Sequence, residues 1–169
     1  MKSVEQQVTG LEVVLQTEEN LYLRLRDVLR REELQLVELD PAQIADTVDQ
    51  KRSLAEEGRL LEDSRRALTS ALARSLGLGD QPVKLSALIE LLDDEAGRLP
   101  ELHGRLSALI QSTRGLLEAN GSFSERSLRR VQETLQMLGR AVPEKVGYGP
   151  GSERGAATVG RGRLVRAAI

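Results

Sequence analysis

The sequence of 169 residues contains no cysteine, no tryptophan and a single histidine, His103. The absence of cysteine excludes disulfides and metal sites built on thiolates. A single histidine excludes metal centres that need paired histidines, and it leaves any acid–base scheme without its ordinary support. His103 lies next to the apolar Leu102 and is most simply a surface residue. We therefore predict no catalytic residue, no cofactor and no metal.

Aromatic residues are also scarce, at 2% of the chain, whereas charged residues make up 30%. A chain of this length can bury a real core. That core must consist of Leu, Val, Ile and Ala. This composition favours helices that interlock along apolar seams over a compact globule with an enclosed pocket.

Long apolar runs are absent as well. The first residues, Met-Lys-Ser-Val-Glu-Gln-Gln, lack the apolar core of a signal peptide, and no uninterrupted stretch approaches the length of a membrane span. We expect a soluble, cytoplasmic protein that does not insert into membranes. The glycines around Leu78 lack the lysine and the preceding strand of a phosphate-binding loop.

Apolar residues recur at heptad spacing over two long stretches, which predict helices at about 3–38 and 41–76. Between them, Asp40 and Gln43 resemble a capping box, and Pro41 suits the first helical position. The first stripe comprises Val4, Val8, Leu11, Leu15, Tyr22, Leu25, Leu29, Leu36 and Leu39, and the second Ile44, Val48, Ala55, Leu61, Leu68 and Leu72.

Four charged residues interrupt these stripes, and they predict an antiparallel hairpin. Facing residues of such a hairpin have sequence numbers with a nearly constant sum, and both Glu18 with Arg65 and Glu32 with Lys51 sum to 83. Each seam carboxylate would then meet a cation. We expect these pairs to fix the register of the hairpin, since a slipped register would bury unpaired charge. The alternative is that the long side chains extend out of the seam to water.

The remaining chain predicts two further helices. Leucines from Leu85 to Leu116 favour a third long helix at about 84–119, bent at Pro100. The heptad phase shifts after Asn120, and Ser122 with Glu125 fits a capping box, so a short fourth helix is expected at about 123–139. A continuous helix through Gly121 is the alternative. The predicted fold is an all-α, elongated bundle.

A change of composition after Pro143 predicts two domains, a helical bundle at 1–140 and a mobile Gly/Arg-rich tail at 141–169. The tail from Pro143 onward carries five Lys or Arg against two Glu, while the rest of the chain is acidic. It has no interleaved aromatics, so we predict no nucleic-acid partner. Leu164 and Val165 could dock on a partner, although a merely solvated tail is the alternative.

Taken together, these patterns resemble the FlgN family of flagellar export chaperones. The resemblance covers most of the chain. It depends on the order and spacing of Tyr22-Leu-Arg-Leu25, Leu29-Arg-Arg-Glu32 and Leu36, then Lys51, Leu54 and Arg65, then Leu116 and Asn120, and finally Tyr148-Gly-Pro-Gly151. The segment beyond Tyr148 is longer and richer in Gly and Arg than is usual for the family.

The resemblance implies a function and a set of partners. Members are cytoplasmic chaperones of flagellar type III secretion that bind the hook–filament junction proteins FlgK and FlgL through the C-terminal helical regions of these clients. Substrate binding in the family's C-terminal part maps onto Leu128, Val131, Leu135 and Leu138, and a tyrosine tied to the export-gate protein FlhA maps onto Tyr148. The whole predicted partner-binding set is Asn120, Phe123, Leu128, Val131, Leu135, Leu138, Tyr148, Leu164 and Val165.

A second class of function uses the same stripes differently. In a self-associating scaffold or structural coiled-coil protein, the stripes would pair between chains and give a stable oligomer. In a chaperone they would pair within the chain, and the free protein would be a monomer or a weak homodimer. The oligomeric state therefore discriminates between the two hypotheses.

Overall fold

The computed structural model describes residues 3–38, 40–79 and 81–141 of the chain. These residues form four α-helices and no strand, so the predicted all-α class is confirmed. The helices are α1 (Val4–Glu38), α2 (Pro41–Ser75), α3 (Leu85–Leu92) and α4 (Leu99–Ala141), and a 3₁₀-helix occupies Asp93–Ala96. The chain divides into two compact units, residues 1–131 and 132–169. Within the described ranges, no helix is both long enough and apolar enough to span a membrane.

The ends of α2 follow the local chemistry of the sequence. The carboxylate of Asp40 accepts hydrogen bonds from the backbone N–H groups of Ala42 and Gln43, and Pro41 occupies the first helical position. At the other end, Gly77 has a φ of +77°. The N–H of Gly77 then donates to the carbonyl of Arg74 and that of Leu78 to the carbonyl of Ala73, which together form a Schellman motif.

Helices α1 and α2 pack as an antiparallel hairpin. The side chain of Gln7, near the start of α1, donates to Ser75 at the end of α2. Near the turn, Thr47 donates to Gln35 over 2.6 Å. In this register Thr47 lies buried in the seam, whereas the predicted Val48 is exposed. Two helical turns further on, Leu54 is likewise buried instead of the predicted Ala55.

Two clusters of apolar side chains form the core of the first unit. The larger cluster joins α1 and α2 to α3 and to the first turns of α4, and the smaller one lies within the hairpin. Members of the larger cluster are Val8, Leu11, Leu15, Leu72, Ala73, Leu85, Leu88, Leu92, Ala96, Leu99, Leu102 and Leu106, and those of the smaller are Leu21, Val28 and Leu54.

The predicted third helix at 84–119, bent at Pro100, is wrong. Helix α3 ends at Leu92, the 3₁₀-helix follows, and Gly97 turns the chain with a φ of +54°. Pro100 is the second residue of α4, where its missing N–H would have no intrahelical partner in any case. The proline therefore marks a helix start and not a kink.

The predicted boundary between a third and a short fourth helix, near residue 121, is also wrong, and the alternative of a continuous helix is correct. Helix α4 runs without a break through Gly121 and Ser122. The expected capping role of Ser122 does not arise, because the residue is inside the helix. An exposed glycine costs a helix interior only about 0.5–1 kcal/mol relative to alanine, which a long helix tolerates.

Within the first unit, α4 runs parallel to α1. The carboxylate of Glu12 accepts the backbone N–H of Arg98 over 2.6 Å, and that of Glu19 accepts two N–H groups of Arg105, each over 2.9 Å. Both pairs are 86 residues apart in the chain. A constant difference in sequence number is the signature of parallel packing.

Candidate partner-binding surface on α4

The packed part of α4 ends at Asn120. Up to that point the helix buries Leu99, Leu102, Leu106 and Thr113 at heptad spacing. Beyond Asn120, no described residue of the first unit is buried. In the first unit, the residues of α4 that follow Asn120 therefore present most of their side chains to solvent.

This exposed part of α4 carries large apolar side chains. In the first unit, Phe123, Leu128 and Val131 are exposed, Leu128 with 59% of its surface accessible. In the second unit, taken by itself, Leu135 and Leu138 are exposed to 62% and 58%. We call these five residues the α4 apolar stripe. An amphipathic helix whose apolar side is uncovered is a typical element for binding another helix.

Sequence reasoning placed all five residues of the stripe but missed Met137, which is 70% exposed. Met137 is outside the three-and-four spacing that identified the others, and it adjoins Leu138. Methionine is flexible and polarisable, and it is common on surfaces that accept more than one partner. The signal in the sequence that could have identified Met137 was its position next to Leu138.

The charges around the stripe are mainly positive. From residue 123 to 141 the sequence contains four arginines, at positions 126, 129, 130 and 140, and two glutamates, at positions 125 and 133. A partner helix with acidic residues beside its apolar face would complement this distribution.

Asn120 has a different environment from the stripe. It is buried, and its Nδ2 donates to the backbone carbonyl of Leu29 over 2.8 Å and to Oε2 of Glu32 over 3.0 Å. Its hydrogen-bonding capacity is thus directed towards α1. We therefore remove Asn120 from the predicted partner-binding set, because a buried amide already bonded within the chain offers no contact to a partner.

The structure brings together the two charged pairs of the hairpin seam. Nε of Arg65 lies 3.0 Å from Oε1 of Glu18, and Nζ of Lys51 lies 2.5 Å from Oε1 of Glu32. The carboxylates are buried, while the two cations remain partly exposed. Burial raises the pKa of Glu18 above its ordinary value, and the charge of Arg65 only partly opposes this.

The remaining predicted partner-binding residues, Tyr148, Leu164 and Val165, lie outside the described residues.

No arrangement with the geometry of a catalytic or metal site emerges from the described ranges. His103 borders a cleft of about 660 Å³ between the hairpin, the 82–84 loop, α3 and α4, together with Arg66 and Lys84. Among the described residues, no group of three or more His, Asp or Glu side chains could hold a metal ion. The α4 apolar stripe is therefore the candidate functional surface.

Comparison with known proteins gives the family of the chain. No curated protein and no solved structure matches the chain. A family model described as "FlgN protein" matches residues 1–154, which include the hairpin, α3 and the whole of α4. The chain therefore belongs to the FlgN family of flagellar export chaperones.

Proposed function

We propose that this protein is a cytoplasmic chaperone that binds the C-terminal helical regions of the hook–filament junction proteins FlgK and FlgL through the α4 apolar stripe. It keeps these clients from self-associating and delivers them to the export-gate protein FlhA. The observation that carries the proposal is the exposure of all five stripe residues on an ordered helix.

The energetics of the stripe suit reversible binding. Burying an exposed leucine against a partner contributes about 1.5–3 kcal/mol. Five such side chains exceed the cost of association only moderately, because immobilising two molecules itself costs several kcal/mol. A helix that is already formed avoids the further cost of folding on binding. This combination favours an escort that holds its client and can still release it.

The packing of the hairpin supports a chaperone over the alternative of a self-associating scaffold. The stripes of α1 and α2 face each other within one chain, and the seam charges are paired there as well. No long seam of the hairpin is thus left for pairing between chains. Light scattering on the purified protein tests this point: a stable, high-order oligomer would favour the scaffold.

Calorimetric titration with the C-terminal helical regions of FlgK and FlgL tests the client-binding surface. The double substitution Leu128→Glu and Leu135→Glu places two negative charges in the stripe. We expect it to raise the Kd for these client regions by about 100-fold or more, because two leucines are no longer buried against the partner. The matched control is Val13→Glu. Val13 is 61% exposed, but it lies on α1. Unchanged affinity in the double variant, or an equal loss in the control, would contradict the assignment.

Docking on FlhA is tested separately at Tyr148. This assignment depends on the family resemblance of the Tyr148-Gly-Pro-Gly151 segment. We expect Tyr148→Ala to weaken binding of the chaperone–client complex to the cytoplasmic part of FlhA. Client affinity should remain within twofold of wild type, because the stripe is intact. Normal FlhA binding by the variant would remove Tyr148 from the proposal.

A further inference from the structure

We propose that Asn120 is a positioning residue that fixes the register of α4 on the hairpin, and thereby sets which side chains of α4 remain free for a partner. The proposal deepens the function proposed above, because a one-turn shift of α4 would change the part of the stripe that clears the hairpin. Its structural half, the register, can be tested without any partner.

One polar network joins three helices at this point. The amide of Asn120, on α4, donates to Oε2 of Glu32 on α1, and the other oxygen of the same carboxylate is bonded by Lys51 on α2. The amide also donates to the carbonyl of Leu29. Asn120 and Glu32 are each only 5% exposed. Both carboxylate oxygens of Glu32 and the Nδ2 group of Asn120 are therefore bonded to another member of the network or to the backbone.

The network is specific to one register in a way that the leucines are not. Leu99, Leu102 and Leu106 could exchange partners after a shift of one helical turn, since one leucine packs much like another. A shifted Asn120 would instead leave its amide and the Glu32 carboxylate without their mutual bond. Single polar residues in apolar helix seams fix register in this manner.

The position of Asn120 along α4 gives the network its consequence. Asn120 is the last buried residue in the described part of α4, and the stripe begins three residues later with Phe123. The residue that fixes the register thus lies at the point where α4 stops packing on the hairpin. Moving α4 by one turn would either cover Phe123 or expose Asn120.

The absence of cysteine in the sequence allows a direct register measurement. The side chains of Glu19 and Arg105 meet between α1 and α4, so Glu19→Cys with Arg105→Cys reports the native register by cross-linking with a short bifunctional thiol reagent, which spans the length of the two original side chains. Glu19→Cys with Leu109→Cys reports a shift of one turn. Each pair is placed in the full-length protein, with Asn120 either kept or replaced.

We expect the native pair to cross-link in preference to the shifted pair when Asn120 is present. Asn120→Leu keeps the site filled but removes the amide and its two hydrogen bonds, and the preference should fall by about tenfold or more. Asn120→Asp should reduce the cross-linking preference at least as far, because the substitution places a second carboxylate next to that of Glu32. Adding Glu32→Gln to Asn120→Asp exchanges donor and acceptor between these two side chains and should recover part of the preference, because the bond to the Leu29 carbonyl is not restored. If Asn120 only filled space in the seam, the double variant would show no such recovery.

Gln111→Glu is the matched control, since it adds the same charge to an exposed position of α4. An unchanged cross-linking preference in Asn120→Leu would overturn the register role, and that variant retains an apolar seam even if Asn120→Asp fails to fold. Client affinity is then measured on the same variants without cysteines. A register shift with unchanged affinity would overturn the link to partner binding. Failure of the unmodified protein to bind client would instead overturn the proposed function and leave the register result standing.

Discussion

The connection between α3 and α4 requires a residue without a side chain at Gly97. The φ of this glycine is +54°, and a Cβ added there would lie 2.7 Å from Oε1 of Glu12. The same oxygen accepts the N–H of Arg98. We expect Gly97→Ala to destabilise the protein by about 1–3 kcal/mol, because it combines backbone strain with displacement of a capping carboxylate. Urea unfolding followed by circular dichroism measures the change.

Gly104 provides the matched control for Gly97. It lies inside α4, and an added Cβ would meet nothing within 4 Å. Gly104→Ala should therefore stabilise the protein by about 0.5–1 kcal/mol through helix propensity. Equal effects of the two substitutions would show that the backbone at Gly97 is not strained.

Glu18 and Glu19 are neighbours whose titrations act on stability in opposite directions. Burial raises the pKa of Glu18 in the folded state, so its stabilising contribution is present below the unfolded pKa and is lost as the pH rises through the folded value. The hydrogen bond from Arg105 lowers the pKa of Glu19, so its contribution is present above the unfolded pKa and is lost on acidification.

These signs predict opposite pH profiles for two conservative variants. Between about pH 4 and pH 7, the stability of Glu18→Gln should rise relative to wild type, because the variant lacks the unfavourable ionisation. That of Glu19→Gln should fall relative to wild type over the same interval. Urea unfolding of all three proteins at both pH values provides the comparison. Parallel profiles for the two variants would contradict the assigned shifts.

At the scale of the helices, α4 is the element whose boundaries differ most from expectation. Leu92 and Leu99 remain in heptad phase across the break at 93–98, so apolar periodicity alone could not reveal it. Gly97 followed by Pro100 was the local signal, since glycine suits a turn and proline the first turn of a new helix. The phase shift after Asn120 was real, but it marks the end of packing and not the end of the helix.

Continuity of α4 through Gly121 gives a test at this scale. The added Cβ of Gly121→Ala would meet nothing within 4 Å, and the φ of this glycine is not positive. We expect a gain in stability of about 0.5–1 kcal/mol with no loss of helicity. A glycine that ended one helix and preceded another would behave differently, because alanine is strained in a left-handed cap. Destabilisation by this substitution would therefore favour two separate helices.

The antiparallel hairpin was predictable because both of its helices obey one periodicity and their seam charges have complementary signs. The role of Asn120 was not predictable, since nothing in a single sequence distinguishes a buried asparagine that bonds across helices from an exposed one. Its pairing with Glu32 depends on how α4 lies on α1, over a separation of 88 residues. Heptad phase defines the faces of neighbouring helices but does not define which distant helix a polar residue meets.

For the whole molecule, stability and binding should depend on different leucines. Leu11 is fully buried in the cluster that joins all four helices, and Leu135 is exposed on α4. Leu11→Ala should cost about 2–5 kcal/mol through the cavity that it leaves, and Leu135→Ala less than about 0.5 kcal/mol. Thermal unfolding of both variants checks this division. A large loss of stability in Leu135→Ala would mean that the stripe is part of the core.

The parallel course of α1 and α4 has a consequence for the order in which the protein is made. Contacts at the hairpin turn join residues as few as 8 or 12 apart, whereas those between α1 and α4 join residues 86 to 91 apart. During synthesis, the hairpin can close while the face of α1 that receives α4 is still bare. That face is covered only once Asn120 has left the ribosome. Closure of the long loop comes last, and the stripe is the last part of α4 to be translated.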